Sequence, residues 1–350
     1  MRFKSDIKNT RTFSKLVAAL SSLEKIAWVR LDDDTVRFTV IPDTGSQVWA
    51  SFSMDFMFDH YALLSAEPNN TINLELPLGP LQRALKSALN GSSASIRLTK
   101  KDGIPVLSMT ITTSVALPKE PQGVARFGSV NTNAARNHDD DDGVFAHEPL
   151  ETNLHREREK IITHDIPIRI LHPRTVETIM QPKVREPDVH IQLPSLLQLK
   201  AISDRFTKLA IASRASTSSS AAGAGISPKL ELSANMHGGL RLRLETDTLN
   251  VESQWHGLEN PDLDPAQLSC SLSEHPSTRF KEAGPENWAT VRVDGKDWSK
   301  VLSVGRLEGR VIACFADDHA LIMYVYVPQY DDTGVGEDSV VTYYVSSYSS

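Results

Sequence analysis

The chain has 350 residues, a formal net charge of −7 and an apolar fraction of 40%, values typical of a globular protein of about two domains. No apolar run approaches the roughly 18 residues of a membrane helix, and the N-terminus lacks the apolar stretch of a secretory signal. The two cysteines, Cys270 and Cys314, are too few for a disulfide framework or a cysteine-based zinc site. The acidic total also argues against a nucleic-acid partner, because phosphates are bound mainly by Lys and Arg.

Alternation of apolar and polar residues predicts most of the regular structure, because a period of two buries one face of a strand and leaves the other in water. Short polar turn sequences between several of these segments indicate antiparallel hairpins. In chain order, the predicted strands are Thr35–Ile41, Thr71–Leu76, Ser95–Leu98, Val189–Leu193, Lys229–Leu232, Leu240–Leu244, Arg310–Phe315, Ala320–Val327 and Ser339–Val345.

Four segments show instead the spacing of amphipathic helices, over residues 7–23, 79–90, 193–212 and 294–308. The apolar stripe of the third segment ends at Leu209. Each half of the chain has a similar order of strand, helix, several strands, helix and strands, which indicates a duplicated unit. The sequence therefore predicts an α+β fold of two similar β-α-β domains with antiparallel sheets.

Three segments lack any periodic pattern. Residues 118–160 are polar and charged, residues 213–227 are rich in Ser, Ala and Gly, and residues 259–287 are rich in Pro, Glu, Asp and Ser. Such segments contain too little apolar surface to offset the entropy of ordering. We therefore predict a disordered insertion at 118–160, a flexible hairpin loop at 213–227 and a third long flexible loop at 259–287.

The acidic total conceals positive charge on the predicted helices. The four helical segments carry net charges of +3, +2, +2 and 0 in chain order, which leaves −14 on the rest of the chain. The first two contain no acidic residue, although exposed helices usually mix both signs to form pairs one turn apart. Lys and Arg are also ordinary residues of helix surfaces, but unneutralised positive charge favours an anionic partner such as DNA.

Several segments resemble one known family. They are Met1–Ile7, Pro68–Leu76, Leu81–Asn90, Ser95–Lys101 and Ile161–Ile170, the last reading Ile-Ile-Thr-His-Asp-Ile-Pro-Ile-Arg-Ile. On these residues the sequence is similar to the Hus-type subunit of the DNA-damage checkpoint sliding clamp, the nine-one-one ring. The resemblance covers most of the chain and leaves out the three unpatterned segments.

The resemblance implies a PCNA-like sliding-clamp fold, with an N-terminal domain over residues 1–171, a connector over 172–187 and a C-terminal domain over 188–350. Three subunits would close a ring around double-stranded DNA, and this chain would join two different paralogous subunits. A clamp loader of the replication-factor-C type would load the ring, which would then recruit repair enzymes and checkpoint mediators. The resemblance further implies a nuclear, non-enzymatic protein.

The resemblance also implies three groups of functional residues. Basic residues of four inner helices would face DNA, the strands His164–Leu171 and Leu249–Trp255 would be sheet edges that pair with neighbouring subunits, and connector residues would dock client peptides. The connector residues, Ile179 and Met180, are equally explained as loop residues that pack on the sheet. The DNA-facing residues are Lys8, Arg11, Lys15, Arg83, Lys86, Lys200, Arg205, Lys208, Lys300 and Arg306, and the edge residues are His164, Asp165, Ile166, Ile168, Ile170, Leu249, Val251, Ser253 and Trp255.

No motif in the chain calls for a cofactor, a metal or catalysis. The sequence has neither a Gly-x-x-x-x-Gly-Lys-Ser/Thr phosphate loop nor a Gly-x-Ser-x-Gly elbow. His138 with Asp139–Asp142 is interpreted as a solvated acidic stretch rather than a metal site, and His164 and Asp165 point to opposite faces of a strand. A homotrimeric replication clamp of the PCNA type and a β-rich hydrolase remain as alternative hypotheses.

Overall fold

The computed structural model describes residues 1–115, 158–177, 179–217, 227–262, 273–328 and 339–348. The elements of the first half are β1 (Arg2–Ile7), α1 (Thr10–Leu23), β2 (Ile26–Leu31), β3 (Thr35–Val40), β4 (Gln47–Ser53), α2 (Met54–Met57), β5 (Phe58–Leu64), β6 (Ile72–Pro77), α3 (Leu78–Ala88), β7 (Ser93–Lys101), β8 (Ile104–Val115) and β9 (Arg158–Pro167). Those of the second half are β10 (Arg169–Ile170), α4 (Pro173–Glu177), β11 (Val189–Gln192), α5 (Leu196–Thr217), β12 (Lys229–Ala234), β13 (Leu240–Thr246), β14 (Leu249–Trp255), α6 (Pro276–Glu282), β15 (Ala289–Asp294), α7 (Gly295–Val301), β16 (Arg310–Ala316), β17 (Ala320–Val327) and β18 (Ser339–Ser346).

The strands form three antiparallel sheets. A five-stranded sheet has the order β5-β1-β7-β8-β9, and a four-stranded sheet has the order β14-β13-β12-β15. A nine-stranded sheet, β10-β6-β2-β3-β4-β18-β17-β16-β11, contains strands from both halves of the chain. The α+β prediction with outer antiparallel sheets is therefore confirmed.

The two halves repeat one topology, as the order of predicted elements indicated. The first runs β1, α1, β2 to β6, α3 and β7 to β9, and the second runs β11, α5, β12 to β15, α7 and β16 to β18. The two repeats differ in the element that packs beside their first strand. In the first repeat β5 pairs with β1, whereas in the described part of the second repeat α6 packs against β11 at the corresponding place.

The repeats are joined by strand pairing rather than by a loop alone. β4 of the first repeat pairs with β18 of the second, in a register that sets Trp49 opposite Thr342. A second link lies beside this junction, where the Ser46 amide and hydroxyl donate to the Asp297 carboxylate at 3.1 and 2.8 Å. One continuous sheet therefore crosses from the first repeat to the second.

The core lies between the sheets and a layer of helices. α1 buries one stripe of apolar side chains, in which the Phe13 ring contacts Phe38 and Phe58 at centroid distances of 5.9 and 6.2 Å. In the second repeat, the Trp298 side chain of α7 is fully buried. The helices expose their opposite faces because the apolar residues recur at helical spacing.

The predicted helices are present, with altered ends. The first begins at Thr10, so Lys8 precedes it. The fourth is split, because α7 ends at Val301 and residues Leu302–Leu307 form a tighter segment, hereafter the 3-10 turn. Leu209 of α5 is 42% exposed and therefore falls outside the buried stripe that was predicted for it.

Two of the three predicted loops contain regular structure. α5 continues to Thr217 and leads to β12, so the segment that was predicted as a hairpin loop is partly helical and joins a helix to a strand. Helix α6 occupies part of the predicted loop 259–287, because the buried His275 side chain accepts a hydrogen bond from the Ser277 amide at its first turn. Most of the predicted insertion, residues 118–157, lies outside the described residues, and β9 begins at its end.

Cys314 offers a test of this packing. Its neighbours across the nine-stranded sheet are His190 and Ile322, and burial raises the pKa of its thiol to about 12. Because the thiolate is the reactive form, we expect a Cys270→Ser chain to react with Ellman's reagent only as urea unfolds it. Rapid labelling of the native chain would contradict the burial of this sheet face.

Candidate functional site

The helical elements form one row along the inner face of the sheets. α3 packs on α1, α1 packs on α7 and the 3-10 turn, and these in turn pack on α5. Strand β9 contacts α3, and strand β14 contacts α5. The two predicted edge strands therefore lie at opposite ends of a single helix layer.

Most of the predicted DNA-facing residues are exposed on this layer. Its carboxylates are engaged by protein groups: Asp294 caps α7, for example, and Asp297 binds Ser46. Most of the positive side chains of the layer therefore have no described carboxylate within ion-pair distance. Those that are exposed and form no ion pair with any described residue are Arg11, Arg83, Lys86, Arg205, Lys208, Lys300 and Arg306.

Lys15 and Lys200 are instead held within the chain, which corrects the expectation that they are free for phosphates. Lys15 Nζ donates to Glu308 Oε1 at 2.9 Å, and this bond holds the pKa of Glu308 below its usual range. Lys200 Nζ donates to the Ser299 carbonyl at 2.5 Å and to the Ser299 hydroxyl, and it lies 3.6 Å from Asp204. These bonds join neighbouring helical elements of the layer.

β9 forms one edge of the five-stranded sheet, and in the described part of the chain it pairs only with β8. On this strand the Ile161 side chain is 66% exposed. The Nε2 atom of His164 is buried without a hydrogen-bond partner among the described residues. Asp165 accepts from Lys101 Nζ at 2.9 Å, which holds the pKa of Asp165 below its usual range.

The predicted edge His164–Leu171 is divided between two sheets. β9 ends at Pro167, and Arg169–Ile170 form β10, the last strand of the nine-stranded sheet. Ile166 and Ile168 are buried in the core. Their side chains are therefore unavailable to a partner, because alternation along the strand turns them inward.

β14 forms the edge of the four-stranded sheet, and among the described residues it pairs only with β13. Leu249, Val251 and Trp255 are half-buried and pack against the core, and Ser253 is also half-buried. The side chains of the predicted edge residues thus face the protein's own core rather than a neighbouring subunit. The outer main-chain groups of the strand are what remains for a neighbour.

A cavity of about 470 Å³ lies between the connector and the outer face of the nine-stranded sheet. Ile179 and Met180 both line it, Ile179 half-buried and Met180 77% exposed. The residues of the sheet that line this cavity were not identified from the sequence, although most of them occupy the outward positions of alternating strands. Val29 and Ala50, which also line it, are buried core residues. The lining of the cavity from the sheet comprises Trp28, Val29, Arg30, Arg37, Thr39, Trp49, Ala50, Ser51, Asn73, Val340 and Thr342.

The fold defines the class of protein. It is similar to proliferating cellular nuclear antigen from Entamoeba histolytica, with a TM-score of 0.58 and 14% identity over 99% of this chain and 98% of that chain. PCNA from Thermococcus kodakaraensis gives a TM-score of 0.57 and 14% identity over 99% of this chain and 100% of that chain. The chain therefore has the predicted sliding-clamp fold.

Sequence relatives define the family. The chain matches the family described as Hus1-like protein over residues 1–349. It is 35% identical over 349 residues to checkpoint protein hus1 of Schizosaccharomyces pombe, covering 99% of each chain, and 25% identical over 302 residues to human checkpoint protein HUS1, covering 84% of this chain and 83% of the human protein. The chain belongs to the Hus1-like family. It is a checkpoint clamp subunit rather than the homotrimeric replication clamp that the sequence had left open.

Among the described helices, none is long and apolar enough to cross a membrane. The described residues contain no group of three or more His, Cys, Asp or Glu side chains that is arranged to hold a metal ion. His138 and Asp139–Asp142 lie outside the described residues.

The Lys15–Glu308 bond leads to a prediction about the titration of Glu308. A carboxylate whose pKa is lowered in the folded state stabilises the fold above its unfolded pKa, and this contribution is lost as the pH falls through the folded pKa. In a Lys15→Met chain we expect Glu308 to titrate at higher pH, closer to the ordinary Glu range, when followed by carboxyl NMR. An unchanged Glu308 titration would contradict the assigned bond.

Proposed function

We propose that this chain is a non-enzymatic subunit of a heterotrimeric ring that encircles double-stranded DNA, together with two paralogous clamp subunits. We favour this function over the alternative hypothesis of a β-rich hydrolase, which the sequence had left open. Its repeats would be two clamp domains, residues 1–171 and 188–350, joined by the connector 172–187. The pairing of β4 with β18 is the observation that carries the proposal.

That pairing is the kind of contact that a ring needs between subunits. It joins two clamp repeats edge to edge into one sheet, and β9 and β14 present similar edges at the two ends of the helix layer. An open strand edge offers unpaired main-chain groups to another chain. Because the two edges differ, each contact is heterologous, and heterologous contacts close into rings when the rotation allows.

Retention on DNA would then come from closure of the ring. Contacts from the helix layer to phosphates need only be weak and independent of sequence, since a closed ring leaves DNA only by opening or by sliding off an end. Such contacts permit sliding. The exposed cations of the layer, such as Arg83 and Lys86, fit this role because no described carboxylate neutralises them.

The proposed ring would act in the nucleus and would bind a clamp loader and client proteins. A clamp loader of the replication-factor-C type would open the ring and place it on damaged DNA in the nucleus. Repair enzymes and checkpoint mediators would bind the loaded ring through peptides that enter the cavity beside Ile179 and Met180. That cavity opens on the sheet face opposite the helices, so a client there leaves the DNA path free.

Assembly is the first test. We expect the purified chain to be monomeric in light scattering and to form a 1:1:1 complex when mixed with the two other checkpoint clamp subunits. A stable homotrimer would contradict the proposal.

Two matched variants test whether the β9 edge contacts a neighbouring subunit. Ile161→Glu places a charge on the edge strand and should weaken the 1:1:1 complex about tenfold or more. Ile104→Glu changes a residue that is 55% exposed on the neighbouring strand β8 and should leave assembly unchanged. Equal behaviour of the two variants would exclude β9 as a subunit contact.

Charge reversal tests the helix layer. A chain with Arg11→Glu, Arg83→Glu and Lys86→Glu should assemble normally, and the ring should show weaker DNA binding with a salt slope reduced by about 3, one for each lost phosphate contact. The control reverses Arg2, Lys4 and Lys100, which are exposed on the five-stranded sheet. Equal loss in both rings would argue for net charge rather than position.

A further inference from the structure

The cavity under the connector has a floor of mixed chemistry. Two adjacent rows of outward residues cross the sheet there. One row sets Trp28, Thr39 and Trp49 opposite one another, and the next sets Asn73, Arg30 and Arg37 opposite one another. The apolar row lies beside the basic row, and both line the cavity.

Arg30 and Arg37 are directly opposite each other on β2 and β3. Like charges in this arrangement repel and destabilise a sheet unless an anion lies between them. Neither arginine forms an ion pair with a described carboxylate: Glu75 is paired with Arg169 at 3.5 Å, and Glu177, which lines a smaller recess beside Arg30, is not within ion-pair distance of either. The pair therefore carries two positive charges that no described carboxylate neutralises.

Three polar atoms of the cavity lining are buried and unpartnered among the described residues. They are Arg30 Nε and Trp49 Nε1, which are donors, and Asn73 Oδ1, which is an acceptor. Buried polar groups without hydrogen bonds are costly, and the great majority in native proteins are satisfied. Here they converge on a cavity rather than on the core, which is the arrangement expected where a ligand completes the bonds.

We propose that this cavity selects acidic peptides, with a carboxylate side chain between Arg30 and Arg37 and an apolar side chain against Trp28 and Trp49. Arginine guanidinium groups bind carboxylates through paired, charge-assisted hydrogen bonds. A peptide fits better than a nucleic-acid strand, because the connector covers the floor with apolar residues, including Leu171, Val176 and Ile179. The inference rests on the proposed docking of clients at the connector and adds the chemistry by which they are chosen.

The test measures binding of fluorescein-labelled peptides to the full chain by polarisation. One peptide has the core Asp-Asp-Ala-Leu-Phe, and its partner has Asn-Asn-Ala-Leu-Phe. We expect the acidic peptide to bind about tenfold more tightly, since a charge-assisted pair exceeds a neutral one by about that factor. The Arg37→Gln chain should lose this difference and bind the Asn peptide as before.

Two further variants distinguish pairing with the carboxylate from non-specific attraction. Arg30→Lys retains the charge and removes the planar fork, so it should lower the preference for the acidic peptide without unfolding the sheet. Arg310→Gln removes an exposed arginine of the same sheet that lies outside the cavity lining. This control should leave both affinities unchanged, and an equal loss with Arg310→Gln would overturn the proposal as non-specific attraction.

The outcomes separate this inference from the docking proposal. If both peptides bind equally and Met180→Asp weakens both, docking stands and the acidic preference is overturned. If neither peptide binds while the 1:1:1 ring still forms, the cavity is not a peptide site and the inference is overturned without affecting the ring. Displacement of the acidic peptide by oligothymidylate, lost with Arg37→Gln, would assign the site to single-stranded DNA instead.

The chain's own acidic stretch is the remaining competitor. Changing Asp139–Asp142 to Asn should leave the affinity of the acidic peptide unchanged if the occupant is an external peptide. A large gain in affinity would indicate that this stretch occupies the cavity and would overturn the assignment to a partner.

Discussion

Antiparallel pairing between sheet edges is the interaction on which this structure depends. Each strand edge carries main-chain donors and acceptors that must find partners or remain in water. Within the chain, β4 and β18 satisfy one another and convert two repeats into a single sheet. The same requirement leaves one edge of β9 and one edge of β14 unpaired in the described chain, and the proposed ring would pair the two edges between neighbouring subunits.

The pairing also determines where the charges act. Because it aligns the repeats, their helices form one layer, and contacts between elements distant in sequence then engage the acidic side chains of that layer. Glu308 is held by Lys15, and Asp297 by Ser46. The layer keeps the net positive charge of its composition, while the excess of acids lies elsewhere in the chain.

The opposite face of the sheet has a different chemistry. The connector runs across it, and the space beneath contains an arginine pair and polar atoms without partners among the described residues. Such groups oppose folding, and a ligand that completed their hydrogen bonds would offset this cost. In the proposed function, DNA on one face and peptides on the other would be compatible because the sheet separates them.

Nine strands, the helices α1, α3, α5 and α7, the duplicated order and the positive charge of the first three of these helices followed from the sequence, because periodicity and local charge are properties of neighbouring residues. Strands such as β1, β2 and β8 were not predicted. Helix α6 was missed since a buried histidine and packing on β11, rather than periodicity, support it. Tertiary structure decided three other features. Lys15 and Lys200 are paired within the chain, the predicted edge His164–Leu171 is divided between two sheets, and Arg30 and Arg37 line one cavity. Lys15 and Glu308 are 293 residues apart, and contacts at such separation depend on how elements pack, which no local pattern encodes.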